Sequence, residues 1–256
     1  MKATLQVKRN LQRVLSVCLL TLTAWSCKDK FQSVPSPNPV SDSKAPITSK
    51  IKDTDAVRIV SNDVINNNSG LINQIIASVK KVSESPRPCE VPQKLSLSGG
   101  SAAGAVPTYG YKIDWNYVMH CSGQVPNQMV LRFKGNTNYD DPELKSNTVD
   151  MGLVQVARFT PVKDPFLVYT TDTLDSKSTI KTTPAVNVTS RIIASSTNIR
   201  VAKGNYAITS GALNFKLTGT AVPGGQFNIT GTLTFKGNQT AVIKFNGSDL
   251  TYPIKW

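Results

Sequence analysis

The chain has 256 residues, 39% of them hydrophobic, with 29 Lys and Arg against 16 Asp and Glu for a net charge of +13. That is enough chain for one or two packed domains, and too apolar for a wholly disordered protein. The basic balance favours anionic partners. Its Lys residues are nevertheless scattered singly (Lys216, Lys236, Lys244, Lys255), without the concentrated stripe that nucleic acid recognition wants, so no nucleic acid partner is expected.

Residues 1–13 carry Lys2, Lys8, Arg9 and Arg13 and no acid. Val14 to Trp25 is a short apolar run of about 18 Å as a helix, against about 30 Å of bilayer hydrocarbon. A charged start, a short apolar middle and the small residue Ser26 make a secretory signal. Cys27 follows directly. The segment Ala24-Trp25-Ser26-Cys27 resembles the lipobox of bacterial lipoproteins, in which the Cys is acylated and becomes the first mature residue. Lys28-Asp29-Lys30 resembles, in part, the export tag of Bacteroidetes lipoproteins. The resemblance implies lipidation at Cys27 and a place at the outer membrane, facing the periplasm or the cell surface. An ordinary signal peptide cut nearby would instead leave a free thiol at Cys27. Cleavage before Cys27 leaves 25 basic and 16 acidic residues, a net +9.

Residues 1–27 are thus read as signal and lipidation site, and 28–50 as a disordered tether rich in Ser and Pro (Pro35, Pro37, Pro39, Pro46). Residues 51–84 change to helical spacing. Val57, Val60 and Val64 form one stripe; Leu71, Ile72, Ile75, Ile76 and Val79 form another. Asp53 and Asp55 suit a helix start, and Lys80-Lys81 an end. Asn66-Asn67-Asn68-Ser69-Gly70 predicts a break between two helices. Both stripes are narrow, which predicts packing against the rest of the chain.

Residues 85–107 read as a connector with Pro86, Pro88, Pro92 and Pro107, in which Leu95 and Leu97 suggest a short strand. The run Ser98 to Gly104 lacks the Lys-Ser/Thr end of a phosphate loop, so no cofactor is expected. Cys18 leaves with the signal, so Cys89 and Cys121 are left to pair as one disulfide, worth about 3 kcal/mol for a loop of about 33 residues. Metal binding by this pair lacks ligands, since His120 is the only histidine, and no metal is expected.

Residues 108–256 alternate. Tyr109, Tyr111, Ile113, Trp115, Tyr117, Met119 and Cys121 share one face, while Lys112, Asp114, Asn116 and His120 take the other. Met129, Leu131 and Phe133 mark the next strand. Val149–Phe159, Phe166–Thr170, Ser178–Thr182, Asn187–Ala194 and Asn198–Val201 are less regular candidates. Gly211-Ala212 shifts the phase, which reads as a bulge. The C-terminal runs are the most regular: Phe227, Ile229, Leu233, Phe235, then Ala241, Ile243, Phe245, then Leu250, Tyr252, Ile254 and Trp256. Pro253 demotes the last run to an edge. About nine or ten strands without intervening helices predict a mainly β fold, an antiparallel meander closing as a barrel or sandwich, preceded by one or two helices. A membrane barrel needs spanning strands of about 9–11 residues, longer than these runs.

Phe215-x-Leu-x-Gly and Phe227-x-x-x-Gly-Thr-Leu-x-Phe-x-Gly-Asn, with the lipobox and the helix followed by a Cys, resemble uncharacterised Bacteroidetes outer-membrane lipoproteins with a β-rich C-terminal domain. These motifs are turn glycines and core aromatics, so the resemblance implies a fold and a place rather than a chemistry. Asp172-Thr173-Leu174 resembles the O-glycosylation site of Bacteroidetes secreted proteins.

No catalytic residues are expected. A Ser hydrolase needs a base beside its nucleophile, and His120 stands alone without a Gly-x-Ser-x-Gly. The densest acids, Asp140, Asp141 and Glu143, fall in a segment that reads as a solvated hairpin loop. The aromatic row Tyr109, Tyr111, Trp115, Tyr117 is the candidate ligand site, lining an apolar pocket or stacking on sugar rings, unless it simply fills the core. The expected function is a lipid-anchored, non-catalytic binding or structural module. A lipocalin-like carrier of a small apolar ligand is the alternative, and a secreted hydrolase a third reading.

Overall fold

The computed structural model describes residues 51–66, 69–84, 88–160 and 164–256. Cys27, the signal and the tether lie outside them. Two helical segments come first. Helix α1 is Asp53–Val60, continued by a π-helical turn at Ser61–Ile65, and α2 is Leu71–Ser83. The break falls where the Asn run predicts it. Gly70 begins α2, and its N–H donates to the Asn66 carbonyl at 2.9 Å. Of the two predicted stripes, Val60 and Val64, and Leu71, Ile72, Ile75 and Val79, are buried, while Val57 and Ile76 are half-buried; Ala56, Ile59 and Val82 join the buried faces.

Ten strands follow: β1 Gln93–Gly100, β2 Thr108–Ser122, β3 Val125–Asp140, β4 Leu144–Ala157, β5 Phe166–Ile180, β6 Val186–Val201, β7 Ile208–Val222, β8 Gly225–Gly237, β9 Thr240–Phe245 and β10 Thr251–Lys255. They form one sheet in sequence order, every neighbouring pair antiparallel. This is the predicted meander. β1 and β10 are its free edges, so it fits a barrel only loosely, without a closing ladder. Leu95 and Leu97 do belong to a strand, and β1 therefore rises inside the stretch read as a connector.

The sheet curls around the helices. Strands β4 and β10 lie six spacings apart, about 29 Å if flat. Yet a hollow of about 300 Å³ is lined by Tyr139 and Leu144 at one side and by Ile254 and Trp256 at the other. Helix α1 bridges the same two regions. Arg58 Nη2 donates to Glu143 Oε2 at 2.7 Å, and the Tyr252 hydroxyl donates to Asp53 Oδ2 at 3.0 Å. The concave face and the two helices therefore share one core.

The strands are longer than the alternating runs suggest. β2 to β8 have 13–16 residues. Phe166–Thr170 and Ser178–Thr182 are one strand, and Asn187–Ala194 joins Asn198–Val201 across a register shift. Asn136 to Asp140 continue β3, so only residues 141–143 form the turn; the N–H groups of Glu143 and Leu144 donate to Asp141 Oδ1 there. Strand length thus no longer separates this sheet from a membrane barrel, but its faces do. The outward side chains include Lys94, Lys112, Asn136, Asn147 and Lys177, the reverse of a lipid-facing apolar band.

The Cys89–Cys121 disulfide is formed. Beside it, Glu90 accepts the Cys121 N–H at 3.0 Å and meets His120 Nδ1 at 2.8 Å. Those two partners, the N–H first, hold the Glu90 carboxyl below its ordinary value. His120 is thereby engaged in an exposed hydrogen bond beside the staple.

Candidate functional site

The aromatic row is divided by the fold. Trp115 and Tyr117 are buried, and Trp115 packs on Phe133 with ring centroids 4.9 Å apart. Tyr109 and Tyr111 are half-buried nearer the end of β2. All four point to the concave side, with Ile113, so none can stack on a sugar at the outer face.

Beneath the helices lies a polar seam that the sequence did not reveal. On β4 the inward residues are Ser146, Thr148 and Asp150; on β5 they are Thr170, Asp172, Ser176 and Ser178; on β6, Ser190. Their small side chains let the π-helical turn approach the sheet. Asp63 on that turn accepts hydrogen bonds at Oδ1 from Thr148 at 3.1 Å, Ser146 at 3.4 Å and Asn62 at 2.9 Å. Ser176 and Ser178 extend the network. Each sheet carboxylate sits opposite a glycine: Asp150 faces Gly135, and Asp172 faces Gly152. A Cβ at either glycine would collide with the facing carboxylate.

Three buried acids with no cation among them are unusual. Burial pushes Asp63 and Asp150 up to about 6, and the hydrogen bonds to Asp63 only partly offset this. Burial raises Asp172 well above the ordinary carboxylate value, and the charge of Asp150 adds to the effect. Asp63 Oδ2, Gln74 Oε1, Asp150 Oδ1, Asp172 Oδ1 and Ser190 Oγ are buried without a hydrogen-bond partner among the described residues. The acids are spread along the seam, and no group of three metal-ligating side chains occurs among the described residues. Asp172, read in sequence as part of a glycosylation motif, is 1% exposed at the centre of β5.

On the opposite side of the same strands lies a depression of about 1000 Å³. Its lining sorts by register. One row across β2 to β6 is Gly110, Asn138, Asn147, Lys177 and Thr189. The second is Lys112, Asn136, Val149 and Asp175. Between them runs the row Tyr111, Thr137, Thr148, Ser176 and Ser190, whose side chains point inward. Two outward rows flanking an inward one make a trough, with side-chain walls and a backbone floor, crossing the strands on the outer face.

Comparison with protein-family models, with curated proteins and with solved structures finds no match.

From Val149 in the trough wall onward, β4 turns part of its apolar set outward. Val149 is 43% exposed, Met151 44%, and Ile193 on β6 47%. Met151 and Ile193 share a cross-strand row with Lys134 and Lys216 at its ends. Between Ser146 and Asp150 the inward positions of β4 belong to the seam, while Leu144, Val154 and Val156 point inward into the apolar core.

Proposed function

We propose that this protein is a lipid-anchored, non-catalytic module of the cell envelope that binds a partner through its β domain. The observation that carries the binding part is the trough, a concavity of about 1000 Å³ walled by Asn and Lys side chains, at the upper end of the size of ligand sites. Three features support the rest. Cys27 follows a short apolar run that a basic, acid-free segment precedes. The two cysteines that would remain after cleavage are joined, as suits an oxidising compartment. Asp63, the buried acid with the most hydrogen bonds, fastens the π-helical turn to β4 instead of facing a substrate cleft. An interior carrier of a small apolar ligand would need the room that Trp115, Phe133 and the helix pair fill.

Metabolic palmitate labelling of the wild type and of Cys27→Ala tests the anchor. Label in the wild type alone is expected; equal labelling of both would end the reading.

A further inference from the structure

We propose that the trough on the outer face of β2 to β6 holds an extended anionic oligosaccharide. This rests on the binding-module reading above and names its site and ligand class. From β2 to β6 the trough spans four strand spacings, about 19 Å, which suits an oligomer lying across the strands. Among the described residues, the amides of Asn136, Asn138 and Asn147 and the ammonium groups of Lys112 and Lys177 have no hydrogen-bond partner in the protein. Asp175, by contrast, is engaged by Arg191 through Nε at 2.6 Å and Nη2 at 2.9 Å. The trough therefore offers two free cations and no free anion.

Each amide both donates and accepts, which matches a hydroxyl. Each ammonium is a point charge that takes a carboxylate or a phosphate. Lys112 stands on β2 in one wall and Lys177 on β5 in the other, about 14 Å apart across the strands. That spacing selects a ligand with repeated acid groups along its length. Val149 gives the C–H face of a sugar ring a small apolar contact. Other ligands fit less well. A peptide lying across the strands gains no backbone ladder. Single-stranded nucleic acid needs outward aromatics, and Tyr111, the aromatic of the trough, points inward. A flat anionic bilayer would meet the walls and not the floor.

The test is calorimetric titration of the purified full-length protein with a carboxylated probe, oligogalacturonate of defined length, and a phosphorylated probe, a phosphomannan oligosaccharide. Saturable binding to at least one is expected, at least tenfold tighter than to uncharged maltohexaose. The tighter of the two identifies the acid group. The double variant K112E/K177E should lose at least tenfold in affinity and N136A/N147A several-fold, with unfolding midpoints unchanged. The control K236E/K244E, which removes the same charge from the outer face of β8 and β9, should bind as the wild type does. Four results would overturn the proposal: no saturable binding to either charged probe, wild-type affinity in K112E/K177E, equal loss in the control, or equal affinity for hexaglutamate or phosphatidylglycerol vesicles. Failure here with Cys27 still acylated would leave the anchor standing; loss of acylation with binding intact would remove the anchor alone.

Discussion

The concave face of the sheet is built in two ways. Across β7 to β9 its inward residues are Leu213, Phe215, Leu217, Leu233, Phe235 and Phe245, with Phe215 set edge-on to Phe245. Across β4 to β6 the inward positions mix Leu144, Val154, Leu174, Val188 and Ile192 with a band of Ser, Thr and Asp. One half is held by apolar area, which is indifferent to pH. The other adds to its apolar area the hydrogen bonds that join it to the π-helical turn, and it contains buried acids that water would ionise readily. A single curved sheet can thus be cohesive at one side and conditionally cohesive at the other.

Breaking the apolar half should cost most. Phe215→Ala is expected to destabilise by about 3–5 kcal/mol, equally at pH 4.5 and pH 7, in urea unfolding. Reducing the Cys89–Cys121 bond comes next, at about 3 kcal/mol, and the loss should appear first as amide exchange in the β1–β2 hairpin. The polar half should show itself through pH. Asp63 and Asp150 hold their protons more tightly folded than unfolded, so their part of the wild-type stability is lost as pH rises from about 4 to about 6, and Asp172, raised in the same direction, adds to the fall. A rise of about two units corresponds to about 3 kcal/mol per acid at neutral pH, as an upper figure. Asp63→Asn keeps the Oδ1 acceptor and places a donor where Oδ2 has no partner. It should therefore be more stable than wild type at pH 7 and no more stable at pH 4; a fall in its stability at pH 7 would refute this account of the seam. The smallest effect belongs to the exposed Arg191–Asp175 pair, where Asp175→Asn should cost less than about 1 kcal/mol and less again in high salt.

The same division decides what could be read from the sequence. β2, β8 and β9 were plain because an apolar set every second residue reports an apolar partner. β4 was not. Val149, Met151 and Leu153 form its apolar set, yet Asp150 and its neighbours Ser146 and Thr148 face inward. Local hydrophobicity gives the wrong face there because the partner is Asp63, more than eighty residues earlier. β5 was split in two for the same reason, since Asp172 and Ser176 interrupt the pattern. A usable signal was the placing of glycines opposite acids, Gly135 with Asp150 and Gly152 with Asp172, but it appears only once the strands are in register. The trough was equally hidden, because its walls draw one or two residues from each of five strands. The disulfide needed no register, because cysteine count alone selected it.

The bond from the Tyr252 hydroxyl to Asp53 joins residues 199 positions apart. The first helix thus finds its seat only when the last strand has been made, and neither helix is long enough to persist alone in water. Contacts this distant make folding slow, because a long stretch of chain must be closed before they form, and the seat of the helices is complete only with the whole sheet.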